Sequence, residues 1–292
     1  MRIATMTSLF REQRGSGEYI GYIESMRRCK EAGFDVLDLN MCAMLHNKTE
    51  FNGDDWMEHA HKIREEAEKL GIEFVQSHPP YRPGMQGSFE TVEGEEFFKE
   101  ITSRSIIISS ILGVKWAVLH PVTECEKSEY NLEDNLKYNH QIFDETVDLA
   151  IKNNVGIAFE NMADRDNRRR FGTTASELIA LVDSYNSPYV GVCWDTGHGN
   201  RVYNDPVQPM LELGHRIKAL HINDNHGKTD EHLLPFMGNL DWERIMKVLK
   251  EIGYEGDLVY EIRNNNAMPD SLKDLTAEYA AKVGKYLLSL CQ

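Results

Sequence analysis

Short apolar runs alternate with longer, charge-rich amphipathic stretches along the whole chain. The runs Ile3–Phe10, Phe34–Asn40, Ile72–Ser77, Trp116–His120, Gly156–Glu160, Val190–Asp195, Ile217–Ile222 and Asp257–Ile262 have the length and the β-branched and aromatic content of buried strands. Between them lie Tyr19–Ala32, Asp54–Leu70, Glu93–Leu112, Leu132–Asn153, Thr174–Tyr185, Pro206–Leu213 and Leu240–Ile252, and Asp270–Leu290 follows the eighth run. These read as helices. Thr174 with Glu177 forms a capping-box pattern, and Gly33, Gly71, Gly113 and Gly253 fall just past helix ends. Eight βα units in strict alternation, with no linker between them, predict a (β/α)8 TIM barrel, one domain spanning residues 1–292. A dinucleotide-binding sheet is disfavoured, because no GxGxxG follows the first strand.

The strand ends carry the chemistry. Glu160, Asp195, His221 and Glu261 each close one of the last four runs, and His78 and His120 follow the third and fourth. Burying an unpaired charge is costly, so acids and imidazoles repeated at these positions need a common partner. Parallel strands would bring them to one rim of the barrel, the geometry of a metal site. A lone histidine there is usually a hydrogen-bonded rim residue, and a lone glutamate can be ion-paired. Four consecutive strands ending this way favour the metal. The mixed oxygen and nitrogen set suits Mn²⁺, Mg²⁺, Co²⁺ or Zn²⁺, and the absence of cysteine from it disfavours a structural zinc. His198, Asp230 and His232 lie just beyond, as candidates for a second metal or for substrate binding. Long loops after the third, fifth and seventh strands (Pro79–Thr91, Asn161–Thr173 and Asn223–Asn239) place the site on that face.

Composition narrows the partners. A net charge of −15 argues against nucleic acid, whose phosphates call for a basic face. Five scattered cysteines without a CxxC pair suggest reduced thiols. No stretch approaches membrane-spanning length and no apolar signal core opens the chain, so a cytoplasmic protein is expected.

ENM at the fifth strand, CWDTGH at the sixth, HINDNHGKTDEHLLPFMGNLDW at and after the seventh, and the closing YEIR resemble the xylose-isomerase-like TIM barrel superfamily. Within it they resemble the sugar phosphate isomerase/epimerase group, related to ketose 3-epimerases, inosose dehydratases and endonuclease IV. The resemblance covers nearly the whole chain. It implies one divalent ion held by Glu160, Asp195, His221 and Glu261, and a substrate contact from His198. It further implies isomerase or epimerase chemistry on a monosaccharide or derivative through an enediolate, with Glu160 and Glu261 as the acid/base pair. A dehydratase or lyase on the same site is the alternative. The Asp230-Glu231-His232 segment resembles the Asp-x-His of endonuclease IV, so His78, His120, Glu160, Asp195, His198, His221, Asp230, His232 and Glu261 would match all nine of that enzyme's ligand types. A zinc phosphodiesterase is the remaining reading, and the acidic charge opposes it. Relatives are commonly dimers or tetramers, which makes a homo-oligomer an expectation.

Two departures stand out. The Arg-containing segment that epimerases carry after the seventh strand is replaced by DNHGKTDEH, and Phe236 stands where relatives usually have glycine. After the fifth strand, Arg165, Arg168, Arg169 and Arg170 form a basic cluster that could grip an anionic substrate group or pair with nearby acids. Phe10, Tyr81, Phe171 and Trp242 are candidate pocket walls, and Cys42 and His46 candidate edges.

Overall fold

A computed structural model of the chain describes residues 1–11, 20–82, 92–122, 126–164, 168–263 and 268–291. Eight strands, β1 (Ile3–Met6), β2 (Val36–Asn40), β3 (Glu73–His78), β4 (Trp116–Leu119), β5 (Gly156–Glu160), β6 (Val190–Asp195), β7 (Ile217–His221) and β8 (Leu258–Tyr260), form one sheet. Every neighbouring pair is parallel, in the order β7-β6-β5-β4-β3-β2-β1-β8. A parallel bridge between Ile222 and Tyr260 joins the two ends, with Ile222 N donating to Val259 O at 2.7 Å and Glu261 N to Ile222 O at 3.1 Å. That closure sets the ends of β7 and β8 side by side. The strands are apolar on both faces because helices cover the outside and side chains fill the inside.

The helices are α1 (Ser8–Arg11), α2 (Tyr22–Glu31), α3 (Trp56–Leu70), α4 (Val92–Ile111), α5 (Leu132–Lys152), α6 (Ala175–Ser184), α7 (Thr196–Val202), α8 (Val207–Leu213), α9 (Trp242–Glu251) and α10 (Asp270–Ser289). α9 illustrates their logic. Trp242, Ile245, Met246 and Leu249 recur at helical spacing and are buried, and the Asp241 side chain caps the first turn by accepting from Arg244 N. The Thr174–Glu177 capping box opens α6, and Gly33, Gly71, Gly113 and Gly253 all have positive φ.

Two elements differ from the pattern read in the sequence. The first apolar run stops as a strand at Met6 and turns into α1. Thr7 diverts it: its side-chain oxygen accepts from Asn40 N and its carbonyl accepts from Ser25 Oγ, so Leu9 and Phe10 turn into the shell beneath the helices. The segment after β6, assigned to no element in the sequence, forms α7, capped by Asp195, whose Oδ1 accepts from His198 N at 2.6 Å.

Inside the barrel, side chains alternate with period two. Ala158, Cys193 and Ala219 lie two residues before Glu160, Asp195 and His221, and Val118 two before His120. These four pack together as a small, fully buried apolar layer. It is the floor on which the polar rim stands. Among the described residues no helix is long and apolar enough to cross a membrane, and Cys29, Cys42, Cys193 and Cys291 are free thiols.

Candidate metal centre at the barrel mouth

Strand register brings the four strand-end ligand candidates together. Asp195 pairs with His221 across β6 and β7, and Glu160 with Cys193 across β5 and β6. One ligand atom from each of Glu160, Asp195, His221 and Glu261 lies within 4.8 Å of the others. His221 Nδ1 stands 3.3 Å from Glu160 Oε2 and 3.4 Å from Glu261 Oε2. Those three atoms are buried, and none has a hydrogen-bond partner. Unsatisfied buried polar atoms are rare and each calls for an explanation.

Asp195 is held more firmly. Its Oδ2 accepts from Asn223 Nδ2 at 2.7 Å, and its backbone is clasped by Asn161, whose Nδ2 donates to Asp195 O at 2.9 Å. Gly197 makes room for this. A Cβ there would come within 1.9 Å of Asn223 Oδ1. Asn161 and Asn223 directly follow a strand-end ligand or lie two beyond it. Their amides next to a buried acid are the signal the sequence offers, and reading ligand types alone passes over them.

The electrostatics of the metal-free cluster pull in opposite directions. Burial raises the Glu160 carboxyl, but the charges of His221 and His120 outweigh it and hold it well below the usual carboxylate range. Burial, reinforced by Glu261, Glu160 and Asp230, pushes Asp195 up to about 7 although His198 opposes. Three carboxylates crowd one imidazole, a repulsion that a cation would relieve. Hard oxygen donors, one imidazole nitrogen and orphaned lone pairs fit a divalent ion.

His78 and His120 converge on the same glutamate. Their Nε2 atoms are 3.1 Å apart, and they lie 3.6 and 3.0 Å from Glu160 Oε2, forming a second compact group of ligand type. His198, Asp230 and His232 stay outside these compact groups. His232 Nε2 contacts Asp230 Oδ2 at 3.0 Å, and His198 Nε2 is 3.7 Å from Asp230 Oδ1. The Nδ1 atoms of His198 and His232 are tied to the carbonyls of Asn161 and Glu261. His232 and Asp230 form a hydrogen-bonded pair, and His198 faces it without a hydrogen bond.

The basic cluster is largely spent on acids. Arg169 pairs with Glu177 and Asp164 and lies over the Tyr130 ring, and Arg168 pairs with Glu126. Arg170 is half-buried and its charge reaches His120; Arg165 lies outside the described residues. Of the candidate walls, Phe10, Phe171 and Trp242 are buried core residues, because each has its whole ring among other side chains. Tyr81 is exposed and stacked on His120 at 5.6 Å. Cys42 Sγ reaches His78 Nδ1 at 3.3 Å, whereas His46 is exposed.

The model of the xylose isomerase-like TIM barrel family matches residues 26–283. The chain belongs to that family. An uncharacterised protein of Sinorhizobium fredii is 31% identical over 164 residues, 56% of this chain and 51% of its own length, so the chain spans about half of that relative. A ketose 3-epimerase of Arthrobacter globiformis is 27% identical over 100 residues, 34% of this chain and 32% of its own. Among solved structures, a D-tagatose 3-epimerase-like protein has the same fold. It superposes with a TM-score of 0.76 at 22% identity and covers 100% of this chain and 98% of its own.

Proposed function

We propose that the protein is a divalent-metal-dependent isomerase or epimerase of a monosaccharide or a close derivative. The observation that carries this reading is the convergence of Glu160 Oε2, His221 Nδ1 and Glu261 Oε2 on one point beside Asp195, with no hydrogen bond made by any of the three. The sugar substrate rests on the family and on its epimerase relatives. Glu160, Asp195, His221 and Glu261 would hold the ion. When bound, it would supply a Lewis acid that stabilises negative charge on the oxygens of the substrate.

The side chains do the rest. Glu160 and Glu261 come from strands separated by two others, and their carboxylates approach within 4.8 Å, so a sugar bound over the pair would present its reacting carbon to both. One removes the proton from the carbon beside the carbonyl, and the other returns a proton on the opposite face, inverting that centre. The one acting as base must be ionised at the start, and its partner must carry the proton that it delivers. Burial works against ionisation in Glu261 as in Glu160, but His221 and His232 outweigh it and keep the Glu261 carboxyl low, which suits it to the part of the base. Such groups are weak bases, and positioning must supply much of the rate. Effective molarities are worth roughly 7–11 kcal/mol. His198, with Nδ1 fixed on the Asn161 carbonyl, turns Nε2 toward Asp230 and the mouth, where it can hold a substrate hydroxyl. The exposed Tyr81 ring offers an apolar face to the sugar's C–H groups.

The test uses the full chain, stripped with a chelator and reloaded with Mn²⁺, incubated in D₂O with a panel of ketoses. Deuterium should enter at the carbon beside the carbonyl only with metal present. Loss of water from a cyclic polyol ketone instead of epimer formation would assign the dehydratase alternative. Cleavage of an abasic-site duplex, with no exchange into any ketose, would sink the reading.

A further inference from the structure

β2 reads VLDLN, and its one acid is used by nothing described above. Asp38 points into the barrel, is fully buried, and sits one layer below the rim opposite Met6 and Gln76. Its Oδ1 has no hydrogen-bond partner, and its Oδ2 accepts from Gln76 Nε2 at 2.9 Å. Gln76 Nε2 also reaches the carbonyl of Leu220, the residue before His221, at 3.4 Å. Among the described residues, His221 is the group of opposite charge within 4.0 Å of Asp38: its Nε2 lies 3.9 Å from Oδ2. That nitrogen is buried and has no hydrogen-bond partner either. A carboxylate left in a barrel interior without a counter-group costs several kcal/mol, so its presence in an apolar strand asks for a purpose.

The ring of His221 has acids on both sides. Glu160 and Glu261 face Nδ1 at 3.3 and 3.4 Å, and Asp38 faces Nε2. Without a metal the acids keep His221 charged, but a histidine that binds a metal must be neutral, with the proton on one nitrogen and the lone pair on the other. Were Asp38 absent, the two glutamates would draw the proton to Nδ1, and the lone pair would turn away from the cluster. We propose that Asp38, oriented by Gln76, is a positioning residue for His221. It accepts a hydrogen bond from Nε2–H after a small rotation of the ring, fixes that tautomer, and leaves the Nδ1 lone pair aimed at the point shared by Glu160, Asp195 and Glu261. Carboxylates that accept from the far nitrogen of a ligating histidine act this way in metal sites generally, and their loss costs about 10–100-fold in metal affinity. The inference rests on the metal-site reading above and extends it to a second strand layer.

Isothermal titration of the chelator-stripped full chain with MnCl₂ tests it, with melting temperatures of the metal-free proteins taken alongside. The wild type should bind one Mn²⁺ in the cluster. Asp38→Ala should bind it about 10–100-fold more weakly, Asp38→Asn should recover part of the loss through its carboxamide oxygen, and Gln76→Ala should weaken binding less than Asp38→Ala. The metal-free Asp38→Ala protein should melt no lower than the wild type, since it loses a buried charge. Wild-type affinity in Asp38→Ala would overturn the proposal while leaving the metal site standing. So would an affinity loss that follows a drop in metal-free melting temperature and is not relieved in Asp38→Asn. If the wild type binds no Mn²⁺, the metal site and this inference fall together.

Discussion

Asp224 and Glu160 are both fully buried acids at the barrel mouth, and their oxygens are partnered in opposite ways. The Asp224 carboxyl accepts four N–H groups: Asn225 N at 2.9 Å, Leu240 N at 3.3 Å, Phe236 N at 3.1 Å and Trp242 Nε1 at 2.8 Å. It gathers the long β7–α9 loop around one point. Glu160 Oε2 comes within 3.0 Å of His120 Nε2 and 3.3 Å of His221 Nδ1 and bonds to neither. Burial and residue type are shared, so neither can tell scaffold from site. The count of satisfied lone pairs can. An acid whose acceptor capacity is filled by the chain holds the chain. An acid buried with capacity left open is reserved for something the chain does not supply.

The largest effects expected follow from breaking each side of that contrast. Glu160→Gln keeps shape and removes the charge. Turnover should fall by about 10²–10⁴, the usual worth of a general acid or base. The metal-free protein should stay folded and melt only modestly lower than the wild type, because the attraction of His221 and His120, which outweighs burial in Glu160, is lost while the packing is kept. Asp224→Ala should do the reverse. Four donors lose their acceptor, among them the indole of the buried Trp242, and a loss of roughly 3–5 kcal/mol in urea unfolding is expected from breaking such a network. A Glu160→Gln protein that unfolds, or an Asp224→Ala protein as stable as the wild type, would erase the distinction.

Gly197 lies where scaffold and site touch. Its missing Cβ leaves space for Asn223, which holds Asp195 Oδ2, and for Asn225, whose Nδ2 donates to Gly197 O at 2.9 Å. Gly197→Ala should cost about 1–3 kcal/mol by overpacking, and by displacing Asn223 it should weaken Mn²⁺ binding as well. Thermal melts and metal titration read the two effects separately. Loss of stability with metal affinity intact would place Asn223 in the scaffold alone.

Much of this was legible in the chain. Alternation of apolar and amphipathic runs gives the barrel because each run is one buried strand, and the strand-end residues Glu160, Asp195, His221 and Glu261 are brought together by the parallel register. What stayed hidden depends on partners distant in sequence. Nothing in the run Ile3–Phe10 reveals that Thr7 is captured by Ser25 and Asn40, so the strand appeared longer than it is. The Arg168–Arg169–Arg170 run gives no sign that two of its members are spent on Glu126, Asp164 and Glu177. Asp38 was visible as an acid in an apolar strand, but its neighbour His221 is 183 positions away in the chain and only folding sets the two side by side.

The smallest effect concerns Phe236, one of the residues that Asp224 holds. Its φ is 72°, in the left-handed region that favours glycine, and half of its side chain is exposed although the ring packs on Trp242 and Tyr286. A left-handed residue with a Cβ costs about 1–2 kcal/mol. Substituting alanine removes the ring and keeps that strain. Glycine removes both, and gives back roughly 0.4–1 kcal/mol through the greater freedom of its unfolded chain. Phe236→Gly should therefore be more stable than Phe236→Ala by about 0.5–1 kcal/mol, a reversal of the order found at ordinary positions. The comparison cancels the lost ring contacts, so paired urea midpoints isolate the backbone. Should the alanine protein be the more stable of the two, the Asp224 hub is not holding Phe236 in a strained turn, and the loop is looser than its four hydrogen bonds imply.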